Sequence, residues 1–348
     1  MIETGNCSSP CDEMGWQRET SVRRGQAGDI VTLELDLTPE DGFVAERLFD
    51  THGRISFVLG WGNYLPGLHE ILTGAVIGEA IQNVSIDAGW GERNPDMVIE
   101  VPKSNLKKLK SIDSIEVNSV LNLQGGIQVT VVKVTENTII VDANHPMAGS
   151  SYACSLKVLN VETAPIAKLG YSSGKCSLEQ ASSPYKVATW AMGCFWGGEL
   201  AFMRTPGVVG AKVGYTQGIS FDPTYEEVCK GNTQHREAVM VIYDPRVVSY
   251  KELLLVYMER LAATTSQYKI ELFEEEYSSK QYMHGIYFHD DEQLCSAQEA
   301  IDSNNNFYQV ELKKAAKFYD AENYHQQYLL KGGQSARKSA KETIRCFG

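Results

Sequence analysis

A cysteine between an apolar run and a helical pattern is the residue of this chain most suited to chemistry. Gly193-Cys194-Phe195-Trp196-Gly197 follows a run over Lys186 to Met192 that reads as a buried strand, and precedes a helix-like stretch over Glu199 to Arg204. Cys194 therefore stands where helix-terminal N–H groups stabilise a thiolate. An ordinary thiol is only a few per cent ionised at neutral pH, so the position raises its reactive fraction. The competing reading is a small buried core residue, the commoner fate of a cysteine. Phe195 and Trp196 favour the reactive reading, because two aromatic faces suit a methyl or thioether group. A hydrolytic thiol working with His235 or His325 is a second chemistry open to the same residue.

The elements that must hold Cys194 belong to the second half of the chain. Ala211 to Tyr215 and Ala238 to Tyr243 read as strands, Lys251 to Ala263 and Gln293 to Ile301 as helices, an α/β or α+β pattern. The first half is β-rich: Ile30 to Leu37 alternates, Ile55 to Leu59 follows the Asp41-Gly42 turn, and further strands fall at Ile127 to Val134, Thr138 to Val141 and Leu156 to Val161. Between the halves, residues 164–184 are rich in Ser, Gly and Pro and read as a flexible linker. The expected division is a mobile leader 1–27, a β-rich domain 28–163, the linker, and a domain 185–348, with the linker as a flexible tether between the two domains.

Length and composition agree. At 348 residues, 43% hydrophobic and 22% charged, the chain builds two ordinary cores. Its 32 basic and 44 acidic residues give a net charge of −12, which disfavours nucleic acid and anionic membrane as partners. No apolar run is long enough to span a bilayer, and the start lacks a hydrophobic signal core. A cytoplasmic protein is expected, although a longer precursor with an organelle address is compatible. Eight cysteines without a repeated Cys-x-x-Cys pair give neither a disulfide framework nor a zinc site.

Further segments define a resemblance. Gly214-Tyr215-Thr216, Pro223-Thr224-Tyr225-Glu226-Glu227-Val228-Cys229, Thr233-Gln234-His235-Arg236-Glu237-Ala238-Val239, Tyr287, and Ala321-Glu322-Asn323-Tyr324-His325-Gln326-Gln327-Tyr328-Leu329 join the Cys194 segment in order. Residues 185–348 thereby resemble an A-type peptide-methionine sulfoxide reductase. The resemblance implies a two-layer α+β sandwich with a mixed sheet. It also implies that Cys194 attacks a sulfoxide sulfur, Glu237 protonates the oxygen, Tyr225 and Tyr282 hydrogen-bond it, and Phe195 and Trp196 hold the methyl group. The acid role is chemically sensible, since sulfoxide oxygen leaves poorly until protonated and a carboxyl shielded by aromatics stays an acid; a solvated strand residue is the alternative. The tail through Ile344-Arg345-Cys346 resembles plant-type members and makes Cys346 the resolving thiol, with Ala340 where some relatives carry another cysteine. Cys176, Cys229 and Cys295 are bystanders, Cys176 being the favoured spare thiol. Tyr277 stands where the family has an aspartate. No bound cofactor or metal is expected; thioredoxin or another dithiol is the implied reductant, and oxidised or unfolded proteins and peptides the substrates.

In the first half, Glu40-Asp41-Gly42, Phe57-Val58-Leu59-Gly60, Leu65-Pro66-Gly67-Leu68, Gly78-Glu79 and Gly89-Trp90-Gly91-Glu92-Arg93 resemble an FKBP-type peptidyl-prolyl isomerase. Val141-Asp142-Ala143-Asn144-His145-Pro146-Met147-Ala148-Gly149 resembles the SlyD-type subclass. The implied fold is a curved antiparallel sheet around a short helix, with an inserted subdomain at about residues 96–144 that holds unfolded chains. Isomerisation needs only an apolar cleft that favours a twisted amide. By position its walls are Glu46, Tyr64, Leu65, Leu68 and Trp90, while family aromatics are replaced by Leu35, Ala45, Ile55 and Cys154. His145 reads as a turn residue. A binding module without isomerase activity fits the same substitutions, and a non-catalytic folding helper whose second half has lost turnover through the Tyr277 replacement is a further reading.

Overall fold

The computed structural model describes residues 23–40, 48–106, 115–117, 119–122, 128–165, 183–268, 280–303 and 310–345. Ala45, Glu46, Cys176, Tyr277 and Cys346 lie outside these, with nearly all of the leader and most of the expected linker.

The β-rich half opens with β1 (Asp29–Pro39), which buries Leu33, Leu35 and Leu37 and turns Glu34, Asp36 and Thr38 outward. Next come β2 (His52–Val58), α1 (Pro66–Leu72) and β3 (Ala80–Asp87). Pro66 starts α1 because its missing N–H is no loss in a first helical turn. Four short strands follow, β4 (Val98–Pro102), β5 (Val120–Asn122), β6 (Gln128–Val134) and β7 (Thr138–Asp142), before the long β8 (Ser151–Thr163). The outer strands make one antiparallel sheet in the order β2-β1-β8-β3, and the four between make another in the order β4-β7-β6-β5. A second small sheet is thus inserted into the first, with its own core of Val129, Val131, Ile139 and Val141. Bulges near Thr32/Leu33 and Ile81/Val84 bend the larger sheet. The second bulge, with Asn83 at φ 49°, breaks the two-residue alternation and explains why periodicity did not reveal β3.

The second half has β9 (Lys186–Ala191), α2 (Phe195–Met203), β10 (Val208–Thr216), α3 (Tyr225–Cys229), β11 (Arg236–Tyr243) and α4 (Tyr250–Tyr268). Then come β12 (Gly285–Phe288), α5 (Asp291–Asp302), β13 (Glu311–Lys314), β14 (Tyr319–Asp320) and α6 (Tyr328–Lys331). Its six-stranded sheet runs β13-β12-β9-β11-β10-β14 and is mixed, because β12 and β13 are parallel while the other neighbours are antiparallel. Central β11 is buried along its whole length. Trp190 of β9 carries α2 and α4, stacking on Phe202 at 4.7 Å and on Tyr250 at 5.6 Å.

α2 begins at Phe195, four residues before the start read from the pattern. The Gly197-Gly198 pair hides it, since glycine disfavours helix interiors. A Cβ at Gly198 would lie 2.6 Å from Met192 Sδ and 3.1 Å from Val239, so glycine lets α2 close onto the sheet.

The two halves are in contact. Ile30 and Val58 of the first half, with Ala164, share one buried cluster with Tyr185, Val209 and Ile242 of the second, covered by Trp61. Asn63 donates to Ala211 O at 2.6 Å and accepts from Ala211 N at 3.0 Å, capping the free side of β10 as a strand would. Lys212 lies over Trp61, 4.6 Å from its ring centre. Apolar side chains of β1 and β2 thus pack against those of β10 and β11, across the join that the linker spans.

Candidate active site

Gly193, at φ 80°, turns the chain out of β9 and leaves Cys194 as the N-cap of α2, with its side chain half-buried. The N–H groups of the first turn of α2 converge there, and one is already engaged. Phe195 N–H donates to Glu237 Oε2 at 3.3 Å, drawing that carboxyl from the middle of the sheet to the helix terminus that flanks Cys194. Glu237 is 2% exposed, and burial pushes its pKa up to about 8, only partly countered by the Phe195 N–H. It is neutral and proton-bearing at neutral pH.

Two phenols complete the cluster. Tyr225 opens α3, which is fixed by a capping box: Thr224 Oγ1 accepts from Glu227 N–H, and Glu227 Oε2 accepts from Thr224 N–H at 2.9 Å. Burial, a hydrogen bond with Cys229, and the charges of Glu237, Cys229 and Cys194 all raise the Tyr225 pKa. Tyr282 ends the short turn Lys280–Tyr282, and burial followed by the charges of Glu237, Tyr225 and Cys194 raises its pKa. Tyr225 and Tyr282 each lie within reach of the charges of Glu237 and Cys194, so the fold brings these four sequence candidates into one site.

The aromatic wall is larger than Phe195 and Trp196. Trp196 stacks on Tyr328 with ring centres 3.9 Å apart, and its Nε1 donates to His325 Nδ1 at 3.3 Å. His325 meets Phe195 at 5.3 Å and Tyr225 at 4.5 Å, both edge to face. With Nδ1 accepting, the ring proton sits on Nε2, and burial lowers the pKa so that the ring stays neutral. His325 thus supports the wall. His235 is committed elsewhere: its Nε2 meets Ser220 O at 3.0 Å and its ring stands against Tyr319. His325 Nδ1 and His235 Nε2 are thus taken up by Trp196 and Ser220.

Glu322 is a positioning residue that motif reading did not single out. It accepts from the Tyr215 hydroxyl at 2.9 Å and from Tyr225 N–H at 2.8 Å, joining β10 to the start of α3. Burial opposes its charge, but these hydrogen bonds outweigh it and hold its pKa low. The separations of 107 and 97 residues hide such contacts from local pattern. Tyr287 lies apart from the cluster, donating to Glu311 Oε2 at 3.2 Å.

Of the proline-cleft candidates, Tyr64 stacks on Phe57 at 5.4 Å and meets Phe49 edge-on at 5.2 Å, Leu65 and Leu68 are fully buried, and Trp90 stacks on His145 at 4.1 Å. His145 also contacts Leu330 O of the second half through Nε2 at 3.1 Å. Among the described residues no group of three or more His, Cys, Asp or Glu is arranged to hold a metal ion, and no helix is long and apolar enough to cross a membrane.

Comparison with known proteins bears on the second half. The family described as peptide methionine sulfoxide reductase matches residues 186–345. Peptide methionine sulfoxide reductase A2 of Arabidopsis thaliana is 46% identical over 172 residues, spanning 47% of this chain and 77% of that protein. The chloroplastic A4 protein of the same plant is 45% identical over 176 residues, spanning 48% of this chain and 66% of its own length. The solved structure of methionine sulfoxide reductase A from Corynebacterium diphtheriae is 29% identical, with a TM-score of 0.38, and covers 50% of this chain and 87% of that one.

Proposed function

The chain belongs, through its second half, to the peptide methionine sulfoxide reductase family, and from that premise we propose that Cys194 and Glu237 reduce methionine S-sulfoxide in peptides and proteins. The family works without a bound cofactor and draws its electrons from a thioredoxin-type dithiol. The Cys194 thiolate attacks the sulfoxide sulfur as Glu237 gives its proton to the oxygen. The protonated oxygen then passes as hydroxide from the methionine sulfur to the Cys194 sulfur: the S–O bond to methionine and the new S–S bond both break, methionine leaves with its sulfur reduced by two electrons, and Cys194 is oxidised to a sulfenic acid. Tyr225 and Tyr282 donate to the oxygen as it gains charge. Phe195 and Trp196, braced by His325 and Tyr328, enclose the S-methyl group.

In the second stage the Cys346 thiol attacks the Cys194 sulfur, forming a disulfide and releasing water, and thioredoxin reduces that disulfide. A reducing compartment such as the cytoplasm supplies the dithiol. One observation carries the reading: the Glu237 carboxyl, protonated at neutral pH, is bound to the N–H of the residue next to Cys194. The test is dithiol-supported consumption of a peptide carrying one resolved sulfoxide epimer. Turnover of the S epimer by the full chain and none by Cys194→Ser is expected; equal turnover by both proteins would refute the assignment.

For the first half we propose an FKBP-type module of the SlyD subclass that holds oxidised, unfolded segments. Supporting this are the bent antiparallel sheet packed on α1 and the second sheet inserted between β3 and β8. Tyr64, Leu65, Leu68 and Trp90, with Glu46, are the proposed proline cleft. A proline-peptide isomerisation assay on wild type and Trp90→Ala tests the cleft, and equal rates would leave a binding module only.

A further inference from the structure

The stretch after α6, residues 332–345, has no helix or strand of its own, so its backbone groups must find partners elsewhere. Part of the answer lies in its own half. Arg204 donates to Ser335 O at 2.7 Å and Glu342 O at 2.6 Å, and its own carbonyl accepts from Ser339 N–H at 2.8 Å. Gln334 brackets Arg345, donating to its carbonyl at 2.8 Å and accepting from its N–H at 3.1 Å.

The remaining partners come from the β-rich half. Ala336 N–H donates to Leu48 O at 2.9 Å, and Lys338 N–H donates to Asp50 Oδ2 at 3.1 Å. Arg337 Nε lies 3.6 Å from the other Asp50 oxygen. The Lys338 side chain is driven inward between the halves, where its Nζ donates to Met203 O at 2.6 Å and Val208 O at 2.8 Å. Both ends of one lysine are thus spoken for, its backbone by the first half and its ammonium by the second.

We propose that Leu48 and Asp50 form a bracket for the carboxyl-terminal segment, making the β-rich half a positioning element of the regeneration step. This rests on Cys346, the residue after Arg345, being the resolving thiol. The Gln334–Arg345 pair closes the loop that this bracket spans, and with that loop freed a coil from Gln334 to Cys346 would range over about 20 Å. Holding it at Ala336 and Lys338 shortens the free chain and raises the effective concentration of its thiol at Cys194. The first half therefore acts on recycling through the tail, without touching substrate.

The experiment uses the full chain and Asp50→Ala, with Asp50→Asn as the conservative variant that still accepts from Lys338 N–H. Each is mixed with a methionine sulfoxide peptide without reductant; methionine release and the Cys194-to-Cys346 disulfide are followed by quenching, alkylation and mass spectrometry. Asp50→Ala should release its first methionine at the wild-type rate and form the disulfide roughly tenfold more slowly, the change expected for one lost charge-assisted hydrogen bond. Asp50→Asn should stay near wild type. Trypsin should cut after Arg337 and Lys338 faster in Asp50→Ala, which reports release of the tail directly. Disulfide formation at the wild-type rate, or unchanged cleavage, overturns the bracket. Slowing of both steps together overturns it as well, because a general loss of structure then explains the variant. Absence of the disulfide in wild type would instead remove the resolving role of Cys346, a separate failure.

Discussion

Glu237 has two tasks that conflict at first sight, being buried in a sheet and giving up a proton. Burial resolves the conflict by raising its pKa to about 8, so the acid is loaded at neutral pH. The rate of sulfoxide reduction should therefore fall as pH rises through about 8, and Glu237→Gln should lose at least ~10²-fold in kcat/KM together with that alkaline limb. A variant that keeps the limb would assign it to another group. The same titration acts on stability. Glu237 and Glu199, the latter also buried and raised to about 8, hold protons in the folded state that the unfolded chain releases near 4.5. Their favourable contribution is complete below the unfolded value and is lost as pH rises through about 8. Urea midpoints of Glu199→Gln should accordingly exceed those of wild type at pH 9, while a lower midpoint would show that the Gln327-to-Glu199 hydrogen bond outweighs the burial of charge. Residue type and spacing alone marked the cysteine before a helix and its two aromatics, whereas Glu237, Tyr225 and Tyr282 were read from the family resemblance, residue type leaving Glu237 open as a solvated strand residue. Glu322 and the supporting role of His325 were legible in neither, since each depends on partners about a hundred residues away.

At the scale of elements, glycines decide how closely layers approach. Gly214 pairs with Asp320 between β10 and β14, and a Cβ there would fall 2.1 Å from Tyr319 O and 2.4 Å from the Phe318 ring. Gly214→Ala should cost about 1–3 kcal/mol of unfolding free energy, measured by urea denaturation, because the obstacle is backbone. It should also lower activity by displacing Tyr215, the partner of Glu322. No residue pattern marks β14, which is only two residues long, or β4, whose residues are mostly exposed and carry no alternation. Strands Ile30 to Leu37 and Ala238 to Tyr243 were readable because burial on one or both faces imposes a hydrophobic pattern. The capping box at Thr224 is equally local. Thr224→Ala should cost about 1 kcal/mol in the same assay and loosen Tyr225 at the site.

For the whole molecule, linker composition suggested a flexible tether, and the shared cluster around Val58, Tyr185, Val209 and Ile242 adds a packed contact between the halves. Low complexity between domains says how a chain connects and nothing about whether the surfaces it connects are complementary. Asn63→Ala leaves Ala211 N–H and C=O without their capping amide and should cost about 1–3 kcal/mol. Tryptophan fluorescence and circular dichroism should report one coincident urea transition in wild type and separating transitions in this variant. The central claim, that Cys194 takes up the oxidation removed from methionine, is tested most directly in Cys346→Ser, where the resolving step is blocked. Mixed with excess methionine S-sulfoxide peptide, no reductant, and a dione that traps sulfenic acid, this variant should release one methionine per chain and carry one trapped adduct on Cys194. Methionine formed without an adduct on Cys194, or an adduct on another cysteine, would contradict the account.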